Sequence, residues 1–472
     1  MAGITTKSAH PESGNVSYDP NQSYTGPLMT VTMLFFMWGF ITCMNDILIP
    51  KMKDVFTLQH WQAMLIQTAF FGAYFIISLL YFIFSVTKGD PIQKIGYKNG
   101  IIVGLVVAAV GCLLFYPAAE NISYGFFLLA LFVLASGVTI LQIAANPYVS
   151  ILGPPEGSSS RMNLTQALNS LGTTIAPLLG GYLIFDQVQG QAGANADSVK
   201  LPYIGLAVAL IVIAFIIKVS RLPRVTEDGV IVADAGALKH RHLVLGIICI
   251  FMYVGGEVSI GSSLISYLEL PQIAGFQESE AKYYLAFFWG GAMIGRFFGA
   301  VALASFKNNR NKYMLIALIG IMAFIVVFSI YGINIALITL GLIFINLIVF
   351  FLGKFIPNRT LGLFASAVIV LLLLTILAEG HLAMWSLIAI GLFNSIMFPT
   401  IFDLAIKKLG IHTSQGSSLL VMAIVGGAII PPLQGVIADI SGNLQLSFIL
   451  PLLCYLYIVF YGFWGYRVKP SH

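Results

Sequence analysis

The chain has 472 residues, of which 58% are hydrophobic and only 9% charged, with a formal net charge of +5 and a mean hydropathy of +0.92. Soluble domains carry roughly 25% charged residues, so this composition excludes an ordinary water-soluble domain and points to lipid as the solvent. No basic patch is interleaved with aromatic residues, which excludes a nucleic-acid surface. The cysteines Cys43, Cys112, Cys249 and Cys454 sit in apolar runs without CxxC spacing, the pattern of buried free thiols.

Residues 1–27 are polar and rich in Ser, Asn, Pro and Gly, and read as a disordered cytoplasmic tail without a signal peptide. A bilayer core about 30 Å thick needs about 20 helical residues per crossing, and every spanning backbone group must be satisfied within its own helix. Apolar runs of that length fall near 28–50, 61–85, 99–117, 122–148, 162–184 and 201–219. A polar cytoplasmic linker follows, 220–242. Further runs fall near 243–268, 280–304, 313–331, 333–352, 360–378, 384–405, 414–437 and 445–466, before a short cytoplasmic tail, 467–472. The chain is therefore expected to be an all-α membrane protein of about 14 transmembrane helices. It divides into an N-terminal six-helix bundle (28–219) and a C-terminal bundle (243–466). The second carries an inserted two-helix hairpin near 312–354, almost wholly apolar apart from Asn346.

Positively charged loops set orientation. With a cytoplasmic N-terminus, all but Lys51, Lys53, Lys200 and Lys282 of the 24 Lys and Arg residues fall on or near the cytoplasmic side. Both termini are then cytoplasmic, in a multi-pass inner-membrane protein. Two bundles joined by a basic linker suit a transporter whose halves rock about a central pathway.

Charged side chains within spans cost about 2.5–3.5 kcal/mol at a helix centre, so each is a functional candidate. Asp46, beside Asn45, lies 18 residues beyond Leu28, or ~27 Å along a helix, in the outer half of its span. Glu257 lies near the middle of its span within YVGGEVSIGS. Both are candidates for coupling to a cation. The bland alternatives are an interfacial aspartate and a glutamate bonded to a neighbouring helix.

Amides recur in both halves: Gln67, Gln142, Asn146, Asn163, Gln166, Asn169 and Asn394. Gln142 and Asn146 share a helix face, as do Gln166 and Asn169. One amide alone is more often interhelical glue worth roughly 0.6 kcal/mol. So many together suit a polar cavity for vicinal hydroxyls, since an amide both donates and accepts. Trp38 and Trp289 lie deep rather than in an interfacial belt and are the aromatic candidates for stacking on a sugar face; Phe70, Phe71, Tyr74, Phe287 and Phe288 accompany them. Asp403 is expected to pair with Lys407 and Lys408 at the cytoplasmic edge. Glu156 and Arg161 are candidates for a cytoplasmic gate, against the simpler reading of solvated loop charges.

Long motifs carry a resemblance. They are Leu48-Ile49-Pro50 after Asn45-Asp46, the run FFGAYF from Phe70, the loop Gly96-Tyr97-Lys98, and LQIAANPYVSILGPPEGSSSRMNLTQALNSLGTTIAPLLGGYLIF from Leu141. YVGGEVSIGS, FWGGAMIGRFFG and GLFNSIMFPTIF complete the set. These resemble the fucose–galactose–glucose symporter family of the major facilitator superfamily, in its bacterial glucose/galactose branch, over nearly all the membrane region except the hairpin. The resemblance implies alternating access and a sugar held between the halves. It implies a carboxylate at Asp46, and it places Gln142 where fucose permeases carry a second carboxylate, leaving Glu257 to supply the second acid. The superfamily loop motif departs at Gln93, where an Asp is usual.

The reading is thus a hexose:cation symporter, with proton or sodium as the coupling ion, no cofactor, no metal and a monomeric state. The alternatives are an uncoupled facilitator or exporter, a symporter for fucose, mannose or N-acetylglucosamine, and a sugar sensor. A membrane enzyme is disfavoured, because no HExxH or nucleophile–base constellation is present.

Overall fold

The computed structural model describes residues 24–57, 60–184, 199–223, 233–306 and 308–468, in which every regular element is a helix. Within these, twelve helices are long and apolar enough to cross a membrane. The expected tails (1–27 and 467–472) lie largely outside the described residues, as do residues 224–232 of the linker 220–242 and the side chains of Asn45 and Asp46.

The N-terminal half contains α1 (Thr25–Phe56), α2 (His60–Lys88), the short α3 (Pro91–Ile95), α4 (Tyr97–Glu120), α5 (Tyr124–Ile151), α6 (Ser158–Ile184) and α7 (Lys200–Val219). Local chemistry sets the ends. Asp90 caps α3 by accepting from the amides of Ile92 and Gln93, with Pro91 at the first helical position. Ser123 caps α5 in the same way. The α4–α5 crossing is close because Gly104 faces the backbone of Gly137 and Leu141, and Gly111 faces that of Leu134. A side chain at either position would push the helices apart.

The C-terminal half contains α8 (Arg241–Glu269), α9 (Glu278–Ala302), α10 (Asn309–Leu352), α11 (Pro357–Leu377), α12 (Gly380–Asn394), α13 (Met397–Ala405), α14 (Thr413–Met422), α15 (Gly426–Ser441), α16 (Leu444–Ser447) and α17 (Ile449–Phe460). The 44-residue α10 is two helices joined at Gly332, whose backbone (φ 80, ψ 179) leaves the helical region. Glycine alone adopts that conformation without a steric penalty. Lys312 at one end of α10 lies against Phe355 just beyond the other. Tyr331, beside the turn, donates to the carbonyl of Tyr283. The two arms therefore run back along each other as a hairpin. Its outer surface is apolar and exposed at Leu318, Ile321, Ile325, Ile345 and Ile348, a face for lipid rather than a solute.

Two faces can be distinguished. On the linker face, Gln415 accepts from the amide of Ala237 and donates to the carbonyl of Asp234 and to Ser85 of α2. Lys98 donates to the carbonyls of Lys218 and Ser220. Lys239 bonds to Asp234 at 3.0 Å, which holds that carboxyl below the usual carboxylate range. At the far face, Lys200 pairs with Glu120, and the amide of Gly380 donates to the carbonyl of Gln272.

The twelfth apolar run, read as one span over 384–405, is broken at Ser395 and Ile396 into α12 and α13. A break frees carbonyls that must find donors inside the membrane. The Tyr253 hydroxyl lies 3.1 Å from the carbonyl of Asn394, sharing its one proton between that oxygen and Glu257, and Arg296 Nε donates to the carbonyl of Ser395 at 3.2 Å.

Candidate functional site: a cavity between the two halves

A cavity of ≈ 190 Å³ lies between the halves. From the N-terminal half it is lined by Trp38 and Thr42 of α1, Phe70, Phe71 and Tyr74 of α2, Gln142 of α5, and Gln166, Asn169 and Thr173 of α6. The C-terminal half contributes Val254 and Glu257 of α8, Arg296 of α9, Phe398 of α13 and Ile424.

Among the described residues the N-terminal wall is neutral. Gln142 is 1% exposed. Its Nε2 donates to the Tyr74 hydroxyl at 2.8 Å, while its Oε1 has no partner among the described residues. The Nε2 of Gln166 is also buried without a partner among the described residues. The wall thus offers one unused acceptor and one unused donor, the pair that a hydroxyl can satisfy. A buried amide group left unmatched costs about 1–3 kcal/mol, so filling the cavity with hydroxyl groups would relieve a real penalty. Phe70 and Tyr74 rings lie 5.2 Å apart and Phe70 and Phe71 rings 5.9 Å apart, giving an aromatic side to the same space. Asn169 is committed elsewhere, its Nδ2 donating to the carbonyl of Phe35 at 3.0 Å.

Charge enters from the other wall. Glu257 is 8% exposed and accepts from the Tyr253 hydroxyl at 2.7 Å. Arg296 donates through Nη1 to Ser170 of α6, crossing between the halves, and through Nε to the carbonyl of Ser395. Among the described residues no ion pair joins Glu257 to Arg296. The carboxyl thus has one firm partner, Tyr253, and an arginine within electrostatic range on the same cavity. A side chain in that position can bind and release a cation, or accept from a hydroxyl, without first breaking a salt bridge.

Toward the linker face the halves are sealed by hydrogen bonds to one carboxylate. Asp403 of α13, 1% exposed, accepts from Ser150 and Ser159 and from Ser158 at 3.0 Å, all three on the opposite half. Ser160 adds a bond to the carbonyl of Ala300. Arg161 donates to the carbonyls of Val149, Ser150 and Pro154, so it shapes the loop that presents these serines.

Comparison with known proteins accords with this geometry. Residues 28–361 match the profile of the Major Facilitator Superfamily. The chain is 48% identical over 448 residues to a glucose/galactose transporter of Brucella abortus biovar 1 (strain 9-941), covering 94% of this chain and 95% of that one. It is 31% identical over 466 residues to an L-fucose-proton symporter of Escherichia coli (strain K12), covering 94% and 93%. The crystal structure of the superfamily transporter FucP in the outward conformation superposes with a TM-score of 0.74 at 30% identity, over 94% of this chain and 99% of that one. The chain belongs to the fucose–galactose–glucose symporter family of the major facilitator superfamily. It is a multi-pass membrane transport protein and not an enzyme.

Within that frame the sequence candidates separate. Trp38, Gln142, Gln166 and Glu257 line one cavity. Asn45 and Asp46 lie on α1, with side chains outside the described residues. Gln67 is half-buried on α2 and is not part of the lining. Asn146, one turn from Gln142, is wholly buried with neither amide atom bonded among the described residues, and is also not part of the lining. Asn163 donates to the carbonyl of Ser159 at 2.8 Å, one turn back on its own helix, and faces Gly299 of α9. Asn394 sits behind Glu257: its Oδ1 accepts from Tyr455 at 2.6 Å, and its carbonyl holds Tyr253.

Three expectations are corrected. Trp289 is 40% exposed and packs against Phe288 and Gly261, outside the cavity lining, because it shares the α9 face of Arg296 but lies about two turns away from it along the helix. Asp403 is not an edge ion pair with Lys407 and Lys408; three serines of the other half hold it. Glu156 and Arg161 do not form a gate as a pair, since Glu156 is exposed while Arg161 is turned inward onto carbonyls. Arg296, Thr42, Thr173 and Phe398 were not selected as site residues from sequence, yet they line the cavity.

Proposed function

We propose that this chain imports a hexose of the glucose/galactose type together with a cation, by alternating access. The observation that carries the reading is the single cavity in which Glu257 and Arg296 face Gln142, Gln166 and Trp38 across the interface of the halves. Amides and rings suit a sugar, and a carboxyl bonded to only one tyrosine suits a coupling ion. The names of relatives that share 48% and 31% of their residues with the chain support the same substrate class.

In this proposal the Asp403 seam closes the linker face while the cavity faces the other side. The linker face is cytoplasmic, as the Lys and Arg distribution favours, and the protein works as a monomer in the inner membrane. Sugar and cation enter from outside, the serine–Asp403 bonds break as the halves rock, and the load leaves to the cytoplasm. Asp46 on α1 is proposed as the second acid.

The test is uptake of radiolabelled glucose into proteoliposomes under imposed proton or sodium gradients, with galactose, fucose, mannose and N-acetylglucosamine as competitors. Accumulation driven by one ion and blocked by galactose supports the reading. Equilibration indifferent to both ions leaves a facilitator in its place.

A further inference from the structure

The hairpin takes no part in the cavity, yet its foot on the linker face holds a charge without a counter-ion. Lys312, in the first turn of α10, is only 8% exposed, and its Nζ lies 3.9 Å from the centroid of the Phe355 ring. The ring face attracts the cation but offers no oxygen to its N–H groups. Among the described residues Lys312 makes no hydrogen bond or ion pair, although buried charges are ordinarily paired. The sequence cannot supply the anion locally, since no Asp or Glu occurs between Glu280 and Glu379.

Other features converge there. Arg310 shares the first turn of α10, Lys354 lies in the connecting turn, and Arg359 lies in the first turn of α11; all three are exposed. The N-termini of α10 and α11 both open onto this foot and add partial positive charge. Lys354 and Phe355 hold consecutive left-handed backbones, φ 53 and 55, a conformation side chains adopt only where the surroundings impose it. On either side the helices expose apolar faces, with Met314, Leu315 and Leu318 on one arm and Phe351 and Leu352 on the other.

We propose that this foot binds the phosphodiester headgroup of an anionic phospholipid. Lys312 is the inner ligand, Arg310, Lys354 and Arg359 are the outer ones, and the acyl chains lie along the exposed arms. The flanking apolar faces favour a lipid over a soluble phosphate. Basic loop residues also serve membrane orientation, but orientation needs only charge near the surface. It does not explain an ammonium enclosed under an aromatic ring.

The full-length protein in a non-ionic detergent tests this, by native mass spectrometry and thermal unfolding with phosphatidylglycerol, phosphatidylcholine or inorganic phosphate. Phosphatidylglycerol is expected to leave a retained adduct and to raise Tm by roughly 2–4 °C beyond phosphatidylcholine. In Lys312→Gln that adduct should fall roughly tenfold, as for loss of one charge-assisted contact, with transport unchanged when lipid is in excess. Should Lys312→Gln fail to fold, the exposed pair Lys354→Gln and Arg359→Gln carries the comparison, with a severalfold loss expected. Equal stabilisation by phosphatidylcholine, stabilisation by inorganic phosphate alone, or an undiminished adduct in the variants would each overturn the proposal.

Discussion

On the N-terminal wall of the cavity Trp38, Tyr74, Gln142 and Gln166 present rings and amides, whereas on the C-terminal wall Glu257 and Arg296 present charges. Among the described lining residues, the difference suggests a division of labour between the two walls. Neutral donors and acceptors can match hydroxyl positions without drawing an ion into the membrane. Charged groups can respond to an ion, but they are expensive there and need support. The support is visible: Tyr253 holds Glu257, the broken α12–α13 segment supplies carbonyls to Tyr253 and Arg296, and Ser170 takes the guanidinium from across the interface.

If the walls divide the work, substitutions on each should fail differently. The largest effect is expected from Glu257→Gln, which removes the exchangeable charge while keeping shape. Gradient-driven accumulation in proteoliposomes should fall roughly 100-fold, while sugar counterflow, which needs no net ion movement, should persist within about tenfold; loss of one charged hydrogen bond of ~1.5–3 kcal/mol sets this scale. If both assays collapse equally, the charged wall is also the sugar wall and the division is wrong. On the other wall, Gln142→Ala should raise KM for sugar roughly 5- to 30-fold, from loss of a neutral hydrogen bond and a stranded Tyr74 hydroxyl, and should leave the number of ions moved per sugar unchanged. An altered ratio would assign Gln142 to coupling.

A smaller effect is expected at the seam below both walls. Asp403→Asn weakens three serine bonds to a charged acceptor, so the linker face should open more often. Alkylation of a cysteine placed by Thr173→Cys, read from the far side, should slow about two- to tenfold. Faster labelling would mean that the seam does not close this face. The smallest effect is expected outside the cavity. Trp289→Phe should change uptake less than about twofold, because the ring only packs over Gly261, whereas Trp38→Ala on the lining should cost far more. Equal losses would return Trp289 to the site.

Much of this architecture is legible in the sequence because lipid imposes a simple rule, about 20 apolar residues per crossing. The apolar arms of α10 are legible in the charge-free run between Lys312 and Lys354. The wall residues were legible only where an expensive group announced itself, as Glu257 did in an apolar run. Asp403 was misread because its partners Ser150, Ser158 and Ser159 lie 253, 245 and 244 residues away in the chain, and nearby lysines offered a plausible local answer. Trp289 shares a helix face with Arg296, so direction around α9 does not separate the two; it lies outside the lining because it sits about two turns further along. The break at Ser395 and Ile396 carries no proline; the nearest, Pro399, lies just beyond it, and the signal available was the polar pair Asn394-Ser395 in an otherwise apolar run.

Ion movement evoked by sugar itself probes the division most directly. Vesicles without an imposed gradient are given glucose or galactose, and entry of protons or labelled sodium is recorded for the unaltered protein and for Glu257→Gln. The account predicts that one ion enters with sugar in the unaltered protein, and that this entry disappears in Glu257→Gln while sugar exchange continues. Sugar entry with neither ion, or undiminished ion entry in Glu257→Gln, would contradict it.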